Sequence, residues 1–455
     1  MVKMELEQAC EYVLKACDKR FSDAVVHASR SQSKQIKFVN NTVAAGRVWM
    51  DQSVSLFVAR GKRVAQTSLL EMDKKKIDAT LSKLEKFIAK TEPNLEYEGI
   101  ARGRFAYREI MNGYDPRIPK LTADELAGFV EEGINASLSR GAERASGTLE
   151  VVYSKEKLMA NGGVRASQKG TAANFSIRAF ASKEASGHKL SCARAMQHFK
   201  PKEAGAMAGE LAKTALDPVQ GEAGKFDVLF DPMAFACLLQ HVGESASIFS
   251  VEAGFSFLEG KLNKRVGSDI VTVFDEGTLP GGMASTKFDA EGVPTHKTTL
   301  IRFGILRNYL HNTSTSRRYY VNTTGNAGLI APRPWNIVLD QGNYDPGEMI
   351  REMRNGIYVT NLWYTRFQNY KVGDFSTIPR DAILKVENGR ITGSLKGMRI
   401  SERMSRILMG IEAISERREQ ILGWEVETPV KCGHVLVRNV HVTTSTGNSE
   451  EAKAQ

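Results

Sequence analysis

Apolar residues recur at three- and four-residue steps between Leu6 and Cys17, and from about Asp23 they recur at every second residue. The first spacing is that of a helix with one buried face, the second that of a strand with one buried face. A chain that changes period so early must pack helices against sheets. Leu6, Cys10, Val13, Leu14 and Cys17 form the helix's buried stripe, so Cys10 and Cys17 pack as small hydrophobes. Residues 24–26, 35–39 and 54–58 read as strands. Asn40-Asn41 and Gly61 supply turns, with Arg60-Gly61-Lys62 the tip of a hairpin. A second helix over about 73–90 is expected to bury Ile77, Leu81, Leu84, Phe87 and Ile88.

A Pro- and Gly-containing stretch over 93–119 precedes a helix over about 123–140, which Thr122 caps with Glu125 as its capping-box partner. Strands follow near 148–152 and 173–181 around a tight turn at Asn161-Gly162-Gly163, then a helix over about 201–215. Residues 218–224 mark the clearest boundary. Beyond it come a strand over 225–230, a turn at Asp231-Pro232 and a helix from Met233 to about Phe249. Short strands alternate with Gly-rich turns over 270–310, and strands dominate from there to Val442, with a helix near 346–355. The expected fold class is α+β, a mixed helix and antiparallel-sheet region followed by a strand-rich C-terminal domain. Its parts are 1–92, 93–224 and 225–443, with 444–455 a disordered tail.

The 455 residues are 42% hydrophobic and 25% charged, which excludes a low-complexity or largely disordered chain. Basic residues outnumber acidic ones by 62 to 52, a net charge of +10. A nucleic-acid site needs such charge concentrated on one face. The densest runs, residues 60–63 and 74–76, Arg317-Arg318 and Arg417-Arg418, are short and free of interleaved aromatics, so solvated faces are expected. Five cysteines (Cys10, Cys17, Cys192, Cys237, Cys432) form no CxxC pair, which suits a reduced, cytoplasmic setting. The chain opens on a charged helical pattern, and its apolar run at 233–239 is far too short to span a bilayer.

Chemistry-bearing residues are sparse. His241 and Glu244 lie three apart on the helix and share a face, as Glu-x-x-His metal motifs require, although the paired histidines of a zincin are absent. Cys432 and His434 are a thiol and an imidazole at a strand's two-residue step, with His441 beyond. No second ligand pair is evident nearby, so the simpler expectation is a buried thiol with an exposed histidine. No Gly-x-Ser-x-Gly elbow and no phosphate-cradling loop is present. Gly277 to Gly282 lacks the Gly-Lys-Ser/Thr ending and joins two strands.

The C-terminal half carries a more specific signal. Residues 282–295 contain Asp289-Ala290-Glu291-Gly292, and residues 300–310 contain Gly304-Ile305-Leu306-Arg307-Asn308-Tyr309-Leu310. Together they resemble the Asp-x-Glu-Gly…Gly-x-Leu-x-x-Tyr/Trp-Leu signature of the TldD/PmbA (modulator of DNA gyrase) metallopeptidase family. Thr324-Gly325-Asn326-Ala327, Gly356-Ile357-Tyr358-Val359 and Cys432-Gly433 are similar to further family stretches. Gly46-Arg47-Val48 and Gly162-Gly163-Val164 sit where its N-terminal strands lie.

That resemblance implies two alternatives for the helix after Asp231-Pro232. In the catalytic TldD-like branch it carries His-Glu-x-x-x-His, whose histidines bind zinc with a later cysteine while the glutamate acts as base. Aligned on that motif, Gln240 falls on the first histidine, His241 on the glutamate and Ser245 on the second histidine. The chain is therefore similar to the non-catalytic TldE/PmbA branch. The resemblance then implies no metal or other cofactor in this chain, zinc in a TldD-like partner, a heterodimer (or a homodimer), and extended unfolded or leader peptides as substrates. Membrane and nucleic acid are not expected partners. An independent metal-dependent peptidase would have to use His241, Glu244, Cys432 and His434 as a rearranged set. A basic nucleic-acid-associated regulator rests on the net charge alone.

Overall fold

The computed structural model describes residues 4–444. The amphipathic start folds as α1 (Leu6–Cys17), which buries Ala9, Cys10, Val13, Leu14 and Cys17. The alternating segment gives β1 (Asp23–Val39) and β2 (Thr42–Arg60), joined at Asn40-Asn41, both left-handed; β3 (Arg63–Leu69) follows across Gly61. The two short strands expected at 24–26 and 35–39 are one. The polar run between them keeps to the sheet, because its backbone pairs on both sides with β2 and with β4 (Arg144–Ala160). In α2 (Lys74–Ile88) the stripe of Ile77, Leu81, Leu84 and Ile88 is buried, whereas Phe87 is 61% exposed. One position off the stripe places Phe87 on the solvent side.

α3 (Ala123–Ser139) begins in the expected capping box between Thr122 and Glu125. β4, β5 (Arg165–Phe180) and β6 (Ser186–Ala193) complete an antiparallel sheet in the order β3-β2-β1-β4-β5-β6, and α4 (Pro201–Thr214) packs with α3 on one face. Because β1 pairs with β4, this sheet runs straight across residue 92, where a boundary was expected. The segment 218–224 also does more than link: β7 (Val219–Gln220) pairs in parallel with Leu395 and Lys396.

The C-terminal half holds two sheets. One orders Ile305–Leu306, Lys297–Arg302, Val273–Glu276, Ile337–Leu339, Val426–Cys432 and Glu419–Gly423. In the other, β8 (Gly224–Phe230) lies between Asn355–Asn369 and Val435–Thr444. Val435–Thr444 pairs with Met398–Arg403, that strand with Asp374–Glu387, and Asp374–Glu387 again with Asn355–Asn369. Those five strands therefore close into a barrel, which leaves their backbones no free edge within the ring. α5 (Pro232–Ser245) packs between the strands Asn355–Asn369 and Val426–Cys432, and every residue from Pro232 to Gln240 is buried. A helix apolar on all sides needs such double cover. It ends at Ser245, before a separate short helix Ile248–Glu252. Thr444 closes the last strand; the rest of the expected tail, 445–455, lies outside the described residues. No helix among the described residues is long and apolar enough to cross a membrane.

Candidate functional site

α5 starts where its sequence directs. Asp231 leaves β8 as the N-cap, its Oδ1 accepting from Met233 N at 3.1 Å, and Pro232 occupies the first turn, where its missing N–H costs nothing. The apolar run then carries Gln240, His241, Glu244 and Ser245 to the far end of the helix. Gln240 is buried, and its amide is fully engaged. Nε2 donates to Glu425 O at 2.7 Å, while Oε1 accepts from Glu427 N at 2.9 Å and Thr428 N at 3.4 Å. His241 shares a face with Glu244, as the spacing predicts: Nδ1 and Oε2 are 2.7 Å apart, and the ring stands edge-on to Phe367 at 4.9 Å. Ser245 is buried, and its carbonyl accepts from Ser256 Oγ at 2.6 Å. A shallow pocket of about 340 Å³ opens here between His241, Glu244, Ser245, Phe255, Phe367 and Tyr370.

Cys432 belongs to the other end of α5. Its Sγ lies 3.4 Å from Pro232 O, fully buried, and burial pushes the thiol well above its ordinary range. At about 1.5 Å rise per residue, Gln240 is about 12 Å farther along the helix axis. His434 does not share a strand face with Cys432, because the strand stops at Cys432 and Gly433 turns the chain. Nor is it exposed as expected. Its Nε2 sits 3.3 Å from Tyr358 Oη and 3.6 Å from Asp231 Oδ2, and burial lowers its pKa while Asp231 opposes that shift. Asp231 also accepts from Tyr358 Oη at 2.9 Å and pairs with the buried Lys189.

The residues on the family's metal positions therefore do not fit a zinc ion. Gln240 is committed to backbone, His241 faces Phe367, and Cys432 remains a protonated thiol beyond reach. Among the described residues no group of three or more His, Cys, Asp or Glu is arranged to hold a metal.

A different feature dominates this region. A cavity of about 1040 Å³ lies between the six-stranded sheet and the C-terminal half, lined by His27, Glu156, Gln168 and Arg194 on one wall and by Glu244 and residues 427–429 on the other. Gln240 fixes that second wall through its bonds to Glu427 and Thr428. On the sheet wall, His27 Nε2 and Glu156 Oε2 are 3.2 Å apart, and Gln168 donates to Glu156 at 3.3 Å. Burial opposes the charge on Glu156, but His27 and Gln168 outweigh it and lower the carboxyl's pKa. Arg194 donates across to Ser285 O at 2.5 Å and, within its own sheet, to Thr171 O at 3.1 Å. These wall residues escaped the sequence reading. Glu156 and Gln168 stand directly opposite each other, but within runs as polar as Ser154-Lys155-Glu156-Lys157 and Ser167-Gln168-Lys169, so nothing in the sequence set them apart.

The Asp-x-Glu-Gly signature holds a loop at the same junction. Asp289 Oδ1 accepts from Glu291 N and Val293 N, both at 2.9 Å, and Oδ2 from Ala327 N at 3.0 Å. Glu291 Oε2 accepts from Ala101 N at 3.2 Å, joining the two halves of the chain. Burial pushes Asp289 up to about 7, and burial together with the Asp289 charge pushes Glu291 up to about 8. Gly292 stands at φ +81°, and a Cβ there would lie 2.3 Å from Val164 Cγ1, so only glycine fits.

Comparison with known proteins bears on this architecture. Residues 223–444 match the family model of the PmbA/TldA metallopeptidase C-terminal domain. A metalloprotease of Methanocaldococcus jannaschii is 33% identical over 207 residues, covering 44% of this chain and 46% of that protein. The metalloprotease PmbA of Escherichia coli O157:H7 is 28% identical over 252 residues, covering 55% of this chain and 53% of that protein. The chain thus spans about half the length of the curated relatives it matches. The crystal structure of TldE from Thermococcus kodakarensis superposes with a TM-score of 0.86 at 18% identity, over 96% of this chain and 100% of that one, which shows a shared fold.

Proposed function

From a chain whose residues 223–444 belong to the PmbA/TldD metallopeptidase family, we propose a non-catalytic subunit of the TldE/PmbA type, acting with a separate TldD-like chain on extended, unfolded or leader peptides. The observation that carries this is Gln240. It stands on the first metal-ligand position and is hydrogen-bonded at both ends of its amide to residues 425–428. A neutral carboxamide so held neither ligates zinc nor leaves room for a replacement ligand. Ser245 and His241 complete a triplet with no competent zinc pair and no carboxylate base. Zinc, in this account, belongs to the partner chain, where it supplies Lewis-acid activation of water.

What this chain contributes is the binding cleft. A cavity of about 1040 Å³ with a hydrogen-bonding His27–Glu156–Gln168 wall is large enough for several residues of peptide. Recognition through backbone and polar wall groups tolerates many sequences, which suits an unfolded substrate. The basic runs argue against nucleic acid. Arg60 pairs with Glu85 at 3.0 Å, Lys62 with Glu98 at 2.7 Å, Lys76 with Glu71, and Arg318 with Glu96 and Glu252, so their charge is neutralised locally.

Mixing the full chain with a TldD-like subunit of the same source tests the proposal. Peptide hydrolysis is expected only from the mixture or the TldD-like chain, and His241→Ala is expected to leave it intact. Hydrolysis by this chain alone, abolished by a chelator and by His241→Ala, supports the independent peptidase instead.

A further inference from the structure

The pocket of about 340 Å³ at the end of α5 is walled by aromatic rings that the fold leaves half open. Phe255 is 60% and Tyr370 51% accessible, yet their rings meet edge to face at 5.9 Å, and Tyr370 stacks on Phe367 at 5.2 Å. Phe367 rests in turn on Phe375 of the barrel core. Both remote segments that present these rings are held in place. Gly254 at φ +72° and a 2.8 Å bond from Phe255 N to Ser250 O turn the loop that carries Phe255. Phe367 lies near the end of the strand Asn355–Asn369, and Tyr370 follows it directly. Folding alone gains by covering such a cluster, so one that stays open marks a binding site.

The polar groups of the pocket select its occupant. Glu244 brings a carboxylate whose side chain is 46% exposed, and His241 engages only Oε2, so Oε1 is open to a ligand. Ser245 is buried on the same wall, and its hydroxyl bonds to no described residue. No Lys or Arg lines the pocket; Lys371, beside Tyr370 in sequence, pairs with Glu259 at 3.4 Å. Aromatic faces carry negative potential, and three rings around one carboxylate favour a cation. We infer that this pocket takes the ammonium or guanidinium end of a lysine or arginine side chain from the peptide held in the cleft.

Its position agrees with that occupant. Glu244 lines both this pocket and the cavity of about 1040 Å³, so a backbone lying in the cavity sends one side chain past it. The pocket stands at the small end of ligand sites, about 300–1,000 Å³, and has room for one long side chain but not for a further stretch of peptide. A lysine or arginine stem packs on Phe367 and Tyr370 while its charged end meets Glu244 Oε1 and the Ser245 hydroxyl. The inference rests on the peptide-binding role proposed above. To a cleft that tolerates many sequences it adds a preference for a basic residue at one position.

Direct binding to the full chain tests it without any hydrolysis. The probes are two unstructured peptides with acetylated and amidated ends, identical but for one lysine or norleucine, and n-butylammonium alone. In titration calorimetry the lysine peptide is expected to bind at least about tenfold tighter than the norleucine peptide. Glu244→Gln keeps the shape and removes the charge, and it should cut that preference to less than about twofold. Tyr370→Leu should reduce it in part. Circular dichroism of each variant confirms an unchanged fold. Equal binding of the two peptides overturns this inference alone, whereas binding of neither overturns the cleft's proposed role as well. A preference that survives Glu244→Gln also overturns it. So does n-butylammonium that binds as tightly as the lysine peptide, which assigns the pocket to free amines.

Discussion

Lys189 Nζ lies 2.8 and 2.7 Å from the two carboxylate oxygens of Asp231, with both side chains almost wholly buried. The lysine comes from β6 of the N-terminal sheet and the aspartate caps α5, so the pair locks the helix that carries the candidate site to the opposite half. Burial opposes both charges, yet each holds the other ionised: Lys189 is raised and Asp231 lowered from their ordinary values. Removing one partner strands the other. Lys189→Met is expected to destabilise the chain by about 3–5 kcal/mol in urea unfolding, and the double variant Lys189→Met/Asp231→Asn to recover a large part of that loss. Equal stability of wild type and Lys189→Met contradicts the pairing.

Glu291 predicts a pH dependence of opposite sign to the common one. A carboxyl whose pKa rises on folding keeps its proton longer in the native state than in the unfolded chain. Its stabilisation is complete below the ordinary value of 4.5 and is lost as pH rises through about 8. Stability should therefore fall between pH 5 and 8, by up to about 1.4 kcal/mol per pH unit for this group. Glu291→Gln keeps the acceptor for Ala101 N and should flatten that fall, measured as melting temperature against pH. An unchanged slope in the variant removes Glu291 as its source.

At Gln240 the expected cost is structural. Gln240→Ala leaves Glu427 N and Glu425 O without their partner and should cost about 1–3 kcal/mol. Gln240→His restores the family's ligand type at that position but should gain no zinc, since Ser245 and Cys432 supply no complete set. Zinc titration followed by calorimetry checks the second point, and tight stoichiometric binding by the variant contradicts it.

Gly292→Ala forces a side chain into left-handed backbone and against Val164. It should destabilise the chain by about 2 kcal/mol or more, while Gly103→Ala, whose Cβ meets open space, should cost less. Similar melting temperatures for the two variants argue against the close approach.

Much of the fold was legible because it was written in short-range terms. The capping box at Thr122 and Glu125, the turn at Asn40-Asn41 and the Pro232 start of α5 are all local chemistry. The continuity of β1 was not, since the polar residues between its apolar ends are held by strands on both sides and not by their own alternation. The metal positions on α5 were legible from residue type. The role of Gln240 was not, because its partners at 425–428 are remote in sequence. The same holds for Lys189 with Asp231 and for the His27–Glu156 wall: pairs brought together by topology leave no periodic trace in a single chain.

The central claim is that this chain carries no catalytic zinc of its own. Elemental analysis of the full chain, purified without chelator and assayed in parallel on an unstructured peptide, measures it directly. The account predicts far less than one zinc per chain and no hydrolysis until a TldD-like chain is added. One tightly held zinc per chain together with chelator-sensitive hydrolysis by the chain alone would contradict it.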